Sequence, residues 1–281
     1  MLKLRVITAV LMILVVGGGI LLLPAVGLAA LFSLLVLIAA WEWAALAGWS
    51  SWYARACYSL VVGALLIVAA GYSNILTAAP DLDRVRDVVG VGCLWWAIAL
   101  LWVKSYPASA ALWGSRIVRL AMGLLTLIPA WMGLVYLRSH EAGIALIFLL
   151  IAMVAAADIG AYFSGKAWGK AKLAVKVSPG KSWAGFWGGL CTSIGLVLVL
   201  WVLFDQHFDG GGHSIIAVIA IALATTLASV LGDLLESMVK RQQGVKDSGR
   251  ILPGHGGMMD RLDSMTAAAP VFALCLLLAG W

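Results

Sequence analysis

Acids, bases, a histidine and glycines crowd the stretch from Asp233 to Ser264. Asp233, Glu236, Asp260 and Asp263 flank a block holding Lys240, Arg241, Lys246, Arg250, His255 and Arg261. Carboxylates hold hard cations such as Mg²⁺, and Lys and Arg bind phosphates. The Pro-Gly-His-Gly-Gly run at 253–257 adds backbone N–H groups for an anion, with Gly256 and Gly257 as candidates. Residue types alone describe a metal-plus-phosphate site. Long apolar runs on both sides place it at a membrane surface.

Other polar groups lie inside or beside the apolar runs, where an ionisable side chain is costly and points to function. Asp158 and Tyr162 fall one helical turn apart, as do Asp233, Glu236 and Lys240 along one stripe. Glu42 stands alone near the middle of the second run, with no other polar residue close in sequence. Asp260 and Asp263 sit three apart in D-R-x-D, on one helix face, and Arg261 points elsewhere. Helix capping explains one of these acids better than both. Upstream, 165–182 is lysine-rich; Lys170, Lys172 and Lys176 suit lipid head groups, whereas Ser178-Pro179-Gly180-Lys181-Ser182 offers hydroxyls, a lysine and free N–H groups to a phosphate. It is not a Walker A loop, which follows a strand, and no strand is expected here. His255 could donate a proton, bind a phosphate or merely shape a turn. His140, His207 and His213 are expected in solvated outer loops.

These elements need a membrane to hold them. The chain is 63% hydrophobic and 11% charged, with mean hydropathy +1.04, against a charged share of about a quarter in soluble domains. Apolar runs of roughly 18 residues or more cross a ~30 Å hydrocarbon core as helices, and the alternating segments of a barrel are absent. The fold class is all-α, a polytopic helical membrane protein. Nine spans are expected, at about 6–23, 26–48, 56–77, 88–104, 117–137, 143–164, 184–204, 214–236 and 265–281. Trp41, Trp43, Trp49, Trp52, Trp113, Trp168, Trp183 and Trp281 fall near their ends, as in an aromatic belt. Cys57, Cys93, Cys191 and Cys275 lie in apolar segments without ligand spacing and read as small hydrophobes.

The net charge of +6 follows membrane topology and does not indicate nucleic-acid binding. With nine alternating spans and a cytoplasmic N-terminus, all 19 Lys and Arg except Arg84, Arg86 and Arg138 fall on the cytoplasmic side. That parity puts 165–182 and 237–263 in the cytoplasm. Lys3 and Arg5 before the first run resemble a signal peptide, but apolar sequence resumes after Pro24, so a retained span is expected. The chain divides into scaffold helices at 1–140, which could supply dimer contacts, and a catalytic region at 141–281.

From Ser237 to Asp263 the pattern S-x-x-K-R-x4-K-D-x-G-x3-P-G-H-G-G-x2-D-R-x-D resembles the signature of phosphatidate cytidylyltransferases (CDP-diacylglycerol synthases) of the bacterial type. Asp158, Ala161-Tyr162, Gly165, Lys172-Leu173, Ser178-Pro179 and Lys181-Ser182 agree as a second block. One departure stands out: the family's SPxKTxEG reads SPGKSWAG, so Ala184 replaces a glutamate.

The resemblance implies that CTP and phosphatidate give CDP-diacylglycerol and pyrophosphate at the inner membrane. It implies Mg²⁺, alone or with a second cation, held by Asp233, Asp260 and Asp263. Lys240, Arg241, Lys246, Arg261 and Lys181 would hold phosphates, beside Ser178, Ser182, Gly256 and Gly257. His255 belongs to the same set, and similarity suggests a homodimer. A transporter of a phosphorylated solute would show paired repeats with broken helices, and a CDP-alcohol phosphotransferase a DGxxAR…GxxxD motif. Neither is visible.

Overall fold

The computed structural model describes residues 2–204 and 214–281. Among them nine helices are long and apolar enough to cross a membrane: α1 (Leu4–Leu22), α2 (Ala25–Leu46), α3 (Trp52–Ser73), α4 (Leu82–Lys104), α5 (Arg116–Ser139), α6 (Gly143–Trp168), α7 (Trp183–Leu203), α8 (Ile215–Gln242) and α9 (Met259–Ala279). The protein is therefore an integral membrane protein built almost wholly of helices. His207, His213 and the rest of the loop expected at 205–213 lie outside the described residues.

Several helices outrun the apolar stretches that announced them, because a charged residue does not end a helix that emerges from hydrocarbon. The Asp81–Asp87 run is the capped first turn of α4, where Asp81 accepts the Arg84 N–H at 3.2 Å. At the other end of the chain, α8 continues through Lys240 to Gln242, and α9 starts at Met259. The polar segment is thus two helix ends joined by the loop 243–258. Glu42 lies near the C-terminal end of α2.

The middle of the bundle is α5, with 67% of its apolar window buried against 17% for α1. Indole and phenol groups of its neighbours donate to α5: Trp43 Nε1 to Arg119 O at 2.7 Å, Tyr58 OH to Leu120 O at 2.8 Å, Trp95 Nε1 to Thr126 Oγ1 at 3.0 Å. In hydrocarbon such polar handles must find protein partners. Trp43 and Trp113 are consequently core residues, both 0% exposed, and not part of the expected aromatic belt. His140 also departs from expectation. It is half-buried against Tyr136, with ring centroids 4.6 Å apart, and burial lowers its pKa.

Beside this core α6 and α7 pack through small residues. A Cβ added at Gly160 would lie 2.7 Å from Gly188 O, and one at Gly189 would lie 2.6 Å from Ala157 O. Between them the lysine-rich segment forms a strand pair that was not expected: β1 (Lys172–Ala174) antiparallel to β2 (Ser178–Ser182). Lys172 faces Ser182 and Ala174 faces Ser178 in the register. The hairpin turns the chain from α6 into α7.

Candidate active site

Helices α8 and α9 touch where Gly232 meets Asp263: a Cβ on Gly232 would lie 3.1 Å from the Asp263 carbonyl carbon. The approach brings Asp263 within electrostatic reach of Asp233, the residue after Gly232. Asp158, on α6, is also within reach of Asp233. Into this group the end of β2 delivers Lys181, whose Nζ lies 2.7 Å from Asp233 Oδ2. One turn along α8, the Ser237 hydroxyl donates to Asp233 Oδ1 at 3.2 Å. Asp233 thus holds the Lys181 ammonium by direct contact, and Asp158 and Asp263, from two other helices, act on it electrostatically.

A second cluster lies a turn further along α8. Lys240 Nζ is 2.6 Å from Glu236 Oε2 and 2.6 Å from Asp260 Oδ1. Glu236 is 0% exposed, so the ammonium is its counter-charge in a place without water. The two oxygens of Asp260 have different jobs. Oδ2 accepts the N–H groups of Ser248 at 2.9 Å and Gly257 at 2.8 Å, and Oδ1 faces Lys240 at 2.6 Å while also accepting the Ser248 N–H at 3.2 Å. The loop holds Oδ2 more closely, and the shortest contact of Oδ1 is to the Lys240 ammonium.

The turn at 253–257 is shaped from both ends. Leu252 N–H donates to Gly256 O at 2.9 Å, and His255 N–H to Leu252 O at 2.9 Å. Gly254 and Gly256 have φ of 77° and 84°, which a side chain would resist. Arg261 donates from Nη2 to His255 O at 2.9 Å. The buried Nδ1 of His255 has no hydrogen bond among the described residues.

A cavity of about 410 Å³ opens beside the first cluster, lined by Asp158, Tyr162, Lys166, Lys181, Ser182 and Phe186 among others. Its lining mixes Asp158, Lys166, Lys181 and Ser182 with the apolar Leu173, Phe186 and Val230. Among the described residues no three Asp, Glu, His or Cys close on one point to cage an ion. Instead Asp233 and Asp260 each present one oxygen to an ammonium.

A model described as the cytidylyltransferase family matches residues 3–279. The chain belongs to that family. It is 45% identical over 281 residues to a phosphatidate cytidylyltransferase of Pseudomonas aeruginosa, covering 100% of this chain and 99% of the relative. A protein of the same name from Haemophilus influenzae is 38% identical over 282 residues, covering 97% and 98%. One from Brucella suis is 44% identical over 139 residues, 49% of each chain. The transporter and phosphotransferase readings are not favoured by these likenesses.

Within the cytidylyltransferase chain the expected residues fall into three groups. Asp233, Glu236, Lys240, Asp260, Asp263 and Lys181 share the two clusters, and Asp158 and Tyr162 line the cavity beside them. Arg241, Arg261 and Lys246 are exposed, but Arg241 Nε donates to Val177 O at 3.3 Å. Arg241 and Arg261 therefore also fasten the hairpin and the 253–257 turn. Ser182 is buried and its hydroxyl accepts the Gly185 N–H at 3.1 Å, capping α7. Its proton remains available to the cavity it lines. Ser178 opens β2, half-buried. Sequence reasoning did not single out Ser248, which sits between Asp247 and Gly249 in the loop. It also gave Glu42 no neighbours, although Glu42 touches this very loop.

Proposed function

We infer that the chain transfers the cytidylyl group of CTP to phosphatidate, releasing pyrophosphate and leaving CDP-diacylglycerol in the membrane. The observation that carries this reading is the pair of lysine–aspartate clusters beside a cavity lined by both charged and apolar residues, in a chain whose family match runs almost end to end. The nucleophile is a phosphate oxygen of phosphatidate and the electrophile the α-phosphorus of CTP. That oxygen bonds to phosphorus as the bond to the β-phosphate oxygen breaks. A phosphomonoester with a second pKa near ~6 is already largely ionised at neutral pH, so no strong base is needed. The task is to hold two anions together and to meet charge arriving on pyrophosphate. Lys181 and Lys240 stand within the site, and Lys246, Arg241 and Arg261 lie at its rim toward arriving nucleotide. The Gly256 N–H belongs to the same turn, whereas the Gly257 N–H, expected to meet a phosphate, is already donated to Asp260 Oδ2 at 2.8 Å. The cavity lets the lipid keep its tails in the leaflet.

The donor set fits a hard cation: carboxylate oxygens, no soft ligands, and two acids already oriented on positive charge. Asp233, Asp260 and Asp263 are the residues that would hold Mg²⁺. Such an ion is ordinarily bound by one or two carboxylates completed by water and substrate phosphates. When bound it supplies charge neutralisation to the phosphates of CTP.

The test is direct. Purified protein with labelled CTP, phosphatidate and Mg²⁺ should yield one nucleotide-lipid and one pyrophosphate per turnover. Diacylglycerol, which lacks the phosphate, should yield neither. Failure to form a nucleotide-lipid product would remove the reading.

Two further outcomes are expected. The site faces the cytoplasm of a bacterial inner membrane, as the Lys and Arg distribution supports. In a background lacking the four native cysteines, single cysteines in 81–87 and 205–213 should be labelled from outside intact cells, and those in 165–182 should not. External labelling of 165–182 would overturn the orientation. The second concerns Ala184, half-buried in the first turn of α7, where an acid meets the positive end of the helix. Ala184→Glu should leave turnover within about tenfold, a ~1.4 kcal/mol effect. A larger gain would mean that the chain is impaired at that position.

A further inference from the structure

Glu42 is 0% exposed, and its partners lie at the far end of the sequence. Its Oε2 accepts the Ser248 hydroxyl at 3.1 Å and the Met259 N–H at 2.8 Å. Met259 opens α9, so the carboxylate rests on the positive end of that helix. The loop closes over it from both sides: a Cβ on Gly249 or on Gly257 would lie 2.7 Å from Glu42 Cδ. Only glycines permit that approach.

The contacts continue from Glu42 to Asp260. Ser248, held by its hydroxyl, donates its own N–H to Asp260 Oδ2 at 2.9 Å and accepts the Asp260 N–H at 3.3 Å. Gly257, pressed on Glu42, donates the other N–H to Asp260 Oδ2 at 2.8 Å. Both groups that orient Asp260 therefore come from residues packed on Glu42. Nearby, Thr8 of α1 donates to Pro253 O at 3.0 Å and steadies the turn's other edge.

We propose that Glu42 is a positioning residue for cytidylyl transfer, locking the 247–259 loop onto α9 so that Asp260 Oδ1 points into the phosphate and cation site. This rests on the reading that Asp260 serves that site. The role is one of reach. Among the described residues Glu42 Oε1 makes no hydrogen bond, so an amide nitrogen in its place breaks none of those seen. Gln at 42 can still accept from Ser248 and Met259 through its remaining oxygen. Asp keeps the charge but is one methylene too short to hold both.

The experiment compares Glu42→Gln and Glu42→Asp in the purified full-length enzyme. Turnover is followed against Mg²⁺, CTP and phosphatidate, with melting temperature recorded in the same detergent. Glu42→Gln should keep kcat within about threefold. Glu42→Asp should lose about 100-fold in kcat, the scale of a ~1 Å misplacement, with a higher Mg²⁺ midpoint and phosphatidate KM within about threefold. The reverse order, Asp active and Gln inactive, would show a role of charge and overturn the proposal. So would wild-type kcat in both. Should Glu42→Asp fail to fold, Ser248→Ala cuts the link while leaving Glu42 on Met259. It should lose about tenfold in kcat and raise the Mg²⁺ midpoint, and an unchanged kcat and midpoint would overturn the proposal. Asp260→Asn, run in parallel, separates the two claims. Full activity in Asp260→Asn removes the site reading and this inference with it. An inactive Asp260→Asn beside fully active Glu42→Asp and Ser248→Ala removes this inference alone.

Discussion

Lys240→Met is expected to destabilise the folded protein by about 3–5 kcal/mol, the cost of stranding a buried charge. Among the described residues, Lys240 is the side chain that neutralises Glu236, which is 0% exposed and whose other oxygen has no hydrogen bond. The same ammonium also answers Asp260, so a single truncation leaves two acids facing each other without a cation. The expected observation is a markedly lower melting temperature in detergent, with little intact protein left to assay. Adding Glu236→Gln should recover most of the stability, because the stranded charge is gone and Asp260 keeps the N–H groups of Ser248 and Gly257. It should not recover turnover, since the positive charge beside Asp260 is still missing. A single mutant that melts like wild type would contradict the arrangement described for this cluster.

Asp233→Asn and Asp260→Asn are expected to reduce kcat by about 10²–10³-fold each, the range seen when a charge-stabilising group is removed from a reacting site. Asn keeps the size of Asp and deletes its charge, so packing is largely preserved. The two variants should differ in stability. Asp233 is partly open and holds Lys181 and Ser237 through side chains that can adjust. Asp260 faces two N–H donors and an ammonium, and an Asn there has one oxygen for all three. Asp260→Asn should therefore melt lower than wild type while Asp233→Asn melts close to it. Phosphatidate binding should suffer less than catalysis in both. Near-normal kcat in either variant would make that acid structural.

The membrane architecture was legible because apolar length is a one-dimensional signal, and nine stretches long enough to cross were visible as such. The candidate site was proposed for a different reason: acids, lysines and glycines crowd into 32 positions between apolar helices, where ionisable groups are too costly to serve as filler. What could not be read is every feature made by tertiary contact. Glu42 looked isolated because its partners, Ser248 and Met259, come from the opposite end of the chain. Trp43 looked like a belt residue because it sits at a span end, yet α5 takes its indole inward. The hairpin at 172–182 was hidden by Pro179 and Gly180, which argue against a strand. Short edge strands accept both. The assignment of each lysine to its acid, Lys181 to Asp233 and Lys240 to Asp260, depends on where β2 and α9 arrive, and nothing local encodes it.

The central claim is that the acids at the ends of α8 and α9 make one cation-dependent site for cytidylyl transfer. Turnover measured against Mg²⁺ concentration for wild type, Asp233→Asn and Asp260→Asn tests it most directly. Both variants should show much lower maximal rates, Mg²⁺ midpoints moved to higher concentration, and only partial rescue at saturating Mg²⁺. Near-wild-type rates with the same Mg²⁺ midpoint in both would contradict it.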